Sequence, residues 1–204
     1  MARARPVAGL RPRATLLENA RAIIAVRVAE MFSFADAIGD PARDEDLHNM
    51  RIAAKRLRYT LEMFRVCLGP DGPALIETVK EIQERIGVIH DADVLVEVVR
   101  LRLAVAAHRQ VEALTAATNA GDEMQRVERV RAAIAASDDP RLGLALLMAR
   151  TRAERERNTA ALTAWWAEHG GDALRVRLDA CLRDAQALPA LTGKMMGKRE
   201  QAEE

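Results

Sequence analysis

Between Leu47 and Phe64 the apolar residues recur at Leu47, Met50, Ala54, Leu57, Leu61 and Phe64. That spacing closes on one face only if the chain is an α-helix, in which each residue advances about 100°. The same rhythm gathers His48, Arg51, Lys55 and Arg58 on the opposite side, with Arg56 at the edge of the row and Tyr59 and Ile52 beside it. The segment must bury one face and present the other as a line of cationic and imidazole donors.

An ordinary solvated helix alternates its charges, because i,i+4 pairs of opposite sign help it and like charges hurt it. Residues 48–65 carry Arg51, Lys55, Arg56, Arg58 and Arg65 against Glu62 alone, five positive charges less one negative, in a chain whose formal total is +1. Concentrated like charge costs stability unless an anion is expected there. A solvated face with no ligand is the plain alternative.

The remaining segments extend the helical reading. Half of the residues are apolar, yet only 3% are aromatic, so the core must be built of Ala, Leu, Val, Ile and Met. That composition, with few Gly and Pro, is the profile of an all-helical protein. The apolar stripe predicts a first helix over residues 13–38, stopped at Gly39-Asp40-Pro41. The motif helix then starts at a cap from Asp44 or Asp46 and runs to Leu68. Gly69-Pro70-Asp71-Gly72-Pro73 breaks it, and a third helix spans 74–109 with a kink expected near Gly87. Short helices follow at 111–117 and 124–136, then a long one at 141–168 and a last one at 172–187. No segment reads as strand, and the expected fold is all-α, an antiparallel helical bundle of four-helix type with extra short helices. Residues 1–12 read as a flexible basic arm, 13–190 as the domain, and 191–204 as a disordered tail.

Cys67 and Cys181 stand alone on apolar helical positions, as buried small hydrophobes suited to a reducing cytoplasm. The longest apolar run, Leu142 to Ala149, is too short to span a bilayer, and the N-terminus lacks the apolar stretch of a signal peptide.

The pattern His48, Arg51, Lys55, Arg56, Leu57, Arg58, Tyr59, Leu61, Glu62 and Phe64 resembles the CHAD family, the conserved-histidine α-helical domains. Gln83, Gly87 and Asp91 on the next helix are similar to a second segment of that family. The resemblance implies paired four-helix bundles that bind inorganic polyphosphate without catalysis. It places the polyphosphate on His48, Arg51, Lys55, Arg56 and Arg58, with Lys80 as a flank, and locates the protein at polyphosphate granules. The basic row occurs once in this chain, where the family carries it twice, which leaves a diverged second half or a homodimer.

Arg51 and Arg58 suit such a ligand because a guanidinium can fork two N–H groups onto neighbouring oxygens, while Lys55 acts as a point charge. Cations at i, i+3 and i+7 recur at a helical pitch of about 5.4 Å, comparable to two phosphate units. His48, near the helix start, is expected to gain a proton beside phosphate. Gly87 reads as a close helix contact, and Asp91 either orients an arginine of the motif helix or caps a helix restarted after the kink.

Rival chemistries have weaker patterns. Glu45-x-x-His48 is half of a di-iron carboxylate signature, but no second Glu-x-x-His pair exists, so no metal and no cofactor is expected. A histidine phosphotransfer bundle needs a His with room for a docking partner, and four surrounding cations oversupply it. RNA or another polyanion could engage the same face, although stacking aromatics are scarce. No nucleophile–base pair or phosphate loop suggests an enzyme.

Overall fold

The computed structural model describes residues 3–119, 121–135 and 139–184. Among these residues the fold is all-helical: α1 (Leu16–Phe32), α2 (Asp44–Met63), α3 (Gly72–Thr118), α4 (Glu123–Ala135), α5 (Arg141–His169) and α6 (Gly171–Asp184), with short 3-10 turns at Ala35–Ala37 and Arg65–Cys67. Residues 3–12 form no helix and are almost all exposed. The expected C-terminal tail lies outside the described residues.

Local chemistry accounts for the helix ends. Thr15 caps α1 through a capping box, its hydroxyl accepting from the Glu18 N–H while the Glu18 carboxylate accepts from the Thr15 N–H at 2.8 Å. The first helix stops at Phe32, six residues earlier than its apolar stripe suggests, and the Ser33 hydroxyl donates back to the Glu30 carbonyl at 2.8 Å. Gly39, with φ of 84°, makes the turn that follows and lies against Thr163 of α5. Neither Asp44 nor Asp46 caps α2. Both sit in its first turn, where the helix dipole favours a carboxylate. Pro73 falls in the first turn of α3, where its missing N–H is harmless.

Two expectations change on α3. Gly87 does not interrupt the helix, which runs through it from Gly72 to Thr118. The helices expected at 74–109 and 111–117 are one, since nothing between Arg109 and Val111 interrupts backbone hydrogen bonding.

The core sits at one end of the molecule. Ala20, Ile24 and Met31 of α1, Met50, Leu57 and Leu61 of α2, Leu75, Val79, Ile82, Ile86 and Ile89 of α3, Leu162 and Trp165 of α5, and Leu174 and Leu178 of α6 form one buried cluster. These make a four-helix bundle of α1, α2, the first half of α3 and the last third of α5, closed by α6. Cys67 and Cys181 are buried in it, neither in a disulfide, as expected of small hydrophobes. Beyond Ile89 burial nearly ceases. The second half of α3, all of α4 and the first half of α5 project from the bundle as a three-helix arm, whose fully buried side chains are Val99, Ala117 and Thr151. The Arg155 guanidinium pins the arm to the bundle, donating to Asp93 of α3 and Asp44 of α2.

The candidate anion-binding groove

Helix α2 runs antiparallel to α3, which sets His48 against His90 with ring centroids 4.3 Å apart. Arg51, one turn on, lies across Gly87: a methyl group added there would stand 3.3 Å from the Arg51 Nε. The glycine thus makes room for a guanidinium rather than for close backbone packing. Two turns further, Arg58 approaches Lys80, and each charge disfavours the other. A groove between the two helices is therefore lined by His48, Arg51 and Arg58 from α2 and by Lys80, Gln83, Gly87 and His90 from α3.

Lys55 stands on the outer lip, with its ammonium 5.8 Å from the Tyr59 ring centroid, while the Arg58 guanidinium lies 4.7 Å from the same ring. Tyr59 thus keeps two cations side by side. Glu62 reaches to 3.8 Å from the Arg58 Nε, beyond hydrogen-bond distance. Lys80 pairs with Glu77 at 3.1 Å, and that hydrogen bond raises its pKa.

Four buried polar atoms of the groove have no hydrogen-bond partner among the described residues: His48 Nδ1, Arg51 Nε, Arg58 Nε and Gln83 Oε1. Unpartnered buried groups of this kind cost about 1–3 kcal/mol each unless something satisfies them. The His48 pKa is lowered, first by burial and then by the neighbouring His90 and Arg51. The groove is thus a cation-rich row beside an imidazole whose charged form is disfavoured, with Glu77 and Glu62 on its rim.

Arg56 takes a different direction. Five residues beyond Arg51 on the helix it points about 140° away, toward α1, where it joins Arg27 in clamping the Glu30 carboxylate. Glu30 is 2% exposed, so this cation serves a buried ion cluster. Asp91 is exposed and forms no bond to an arginine of α2, and it caps nothing, because α3 passes through it unbroken. The late arginines provide no second row, since Arg155 is held by the two aspartates at the base of the arm.

Gln83, which the sequence marks as part of the second family-like segment, and His90, which it does not mark, complete the groove. Gln83 lies one turn from Lys80 and from Gly87 on the same face, a periodicity that could have flagged it for the groove. His90 is found only through the α2–α3 register.

No group of three or more metal-ligating side chains comes together among the described residues. No helix there is long and apolar enough to cross a membrane.

The all-α bundle thus carries a cation-rich row along one helix pair. Residues 2–100 match the family model of the CHAD domain, and through this part the chain belongs to the CHAD family, a membership consistent with a polyphosphate-related role. No curated protein and no solved structure matches the chain.

Proposed function

We propose that the protein binds inorganic polyphosphate, without chemistry on it, along the groove between α2 and the first half of α3. The observation that carries the reading is the set of buried, unpartnered polar atoms on His48, Arg51, Arg58 and Gln83. A phosphate chain offers acceptor oxygens on every unit, and Arg51 and Arg58, seven residues apart, are separated by about 10.5 Å along the helix, so they contact different units of one chain. Lys55 and Lys80 flank the track as point charges. Gln83 can turn its amide so that the NH2 donates to an oxygen. The reading places the protein in the cytoplasm, at polyphosphate granules.

The test is titration of the full chain with medium-length polyphosphate at two salt concentrations, with single-stranded RNA of matched charge as competitor. Four cations on the track give a log–log salt slope of about −3, or a roughly 50-fold loss of affinity between 50 and 200 mM salt. Tight, salt-sensitive binding that RNA fails to displace supports the proposal. Absent binding, or equal displacement by RNA, removes it.

A further inference from the structure

The α3 face that lines the groove does not end with the groove. Past Asp91 the same side continues as Val94, Val98, Leu101 and Val105, at spacings of four, three and four residues. That is the seam pattern by which one helix packs on another. Among the described residues nothing covers it: the four side chains are 47–52% exposed. The opposite side of α3 holds the arm's own contacts, with Val99 and Ala117 buried.

The rest of the arm is equally underpacked. Helix α4 has 13 residues and buries none of them, a length at which an isolated helix is marginal in water. Leu142 and Leu146 at the start of α5 are 71% and 57% exposed. Between Val94 and Leu147, twelve large apolar side chains are exposed. At roughly 80–90 Å² apiece they present on the order of 1,000 Å² of apolar surface, against the ~800 Å² per partner that a standard interface buries.

We propose that a second copy of this chain covers the arm, the two α3 seams packing antiparallel across a two-fold axis between Val98 and Leu101. The seam is self-complementary in that arrangement. Val98 of one copy meets Leu101 of the other, and Val94 meets Val105. The same register sets Asp91 of one copy opposite His108 and beside Arg109 of the other, and neither Asp91 nor Arg109 forms an ion pair within its own chain among the described residues. Like-to-like pairing is the closed form available to a single surface. Flanking charges of both signs, Glu97 and Glu112 with Arg102 and Arg109, argue against an anionic membrane or a nucleic acid as the occupant. The family match ends at residue 100, so most of this surface lies outside it, and the proposal is independent of what the groove binds.

Sedimentation of the full chain without polyphosphate, from about 1 to 100 µM, tests it. The expected result is a dimer that Val98→Glu with Leu101→Glu converts to a monomer of unchanged helicity. Independently, Asp91→Arg and Arg109→Asp should each weaken dimerisation at least tenfold, and the two together should restore it. That exchange decides the matter if the glutamate variant does not fold. A monomer at the highest concentration overturns the proposal, as does a dimer indifferent to the glutamates or to the charge exchange. A monomer whose melting temperature falls with Val98→Glu also overturns it, and assigns the seam to the chain's own C-terminal segment.

Discussion

Replacing Gly87 with alanine should make the protein more stable and a poorer ligand binder at once. The glycine lies mid-helix and buried, where alanine is favoured over glycine by about 0.8–1 kcal/mol. The added methyl meets no backbone. Its nearest neighbour is the Arg51 Nε at 3.3 Å, then a terminal nitrogen of the same guanidinium at 3.8 Å. A flexible side chain can withdraw by the few tenths of an ångström required, so most of the helical gain survives. For a chain of this length that gain raises the melting temperature by roughly 2–4 °C. Withdrawal moves Arg51 off the groove, however, and a charge-assisted hydrogen bond contributes about 1.5–3 kcal/mol. Losing between a third and all of it weakens polyphosphate binding by about twofold to 150-fold, with Arg51→Ala as the upper limit. Calorimetry on wild type, Gly87→Ala and Arg51→Ala gives both quantities from the same samples. If Gly87→Ala melts lower than wild type, the glycine is there for close helix packing. If it binds as well as wild type while Arg51→Ala does not, the guanidinium does not work from where it lies.

Arg51→Gln and Arg58→Gln should each take about 0.7 off the salt slope, and together should all but abolish binding with near wild-type helicity by circular dichroism. Arg56→Ala should leave affinity within about twofold, because its charge is committed to Glu30. Glu30→Ala leaves Arg27 and Arg56 without their shared carboxylate and should cost roughly 3 kcal/mol, read as a fall in denaturation midpoint with no change in slope. The pH dependence has two signs to check. His48 has a lowered pKa in the folded free protein, so the unfolded chain takes up the proton first, and free-protein stability falls as pH drops below the unfolded value of about 6.5. Bound phosphate reverses the imidazole's preference, so binding takes up a proton and affinity rises from about pH 8 to 5.5. His48→Gln should flatten both profiles.

Much of the bundle was legible because its signals are local. The Leu47–Phe64 stripe is the buried face of α2, and the Pro- and Gly-rich breaks fall where the chain turns. The capping box at Thr15 and Glu18 marks the start of α1 in plain sequence, two residues past the boundary drawn from hydrophobicity alone. The early stop at Phe32 was not readable, since Ala35, Ala37 and Ile38 continue the apolar rhythm and a 3-10 turn spends them on the core instead. On α3 a lone glycine is too weak a signal to end a helix, and a 47-residue helix contradicts any expectation drawn from typical lengths. At the site, the row His48, Arg51, Lys55 and Arg58 follows from helical geometry. Arg56 departs for the reason the same geometry supplies, being 140° round from Arg51. What no single segment encodes is the register of α2 on α3, which brings His90 to His48 and Gly87 under Arg51.

The link between Arg155 and the two aspartates also describes the connectivity of the molecule. The bundle is made of residues 16–89 and 162–181, and the chain leaves it near Asp93 and returns near Arg155, two residues in direct contact. Everything between is an excursion and back, a helical hairpin grafted into a bundle whose cut ends already touch. A graft of that kind can be exchanged: a short turn joining Asp93 to Arg155 would close the bundle without disturbing the groove. The arm, some 35–40 Å of helix beyond Asp93, is free to vary in length and sequence while the bundle stays constant.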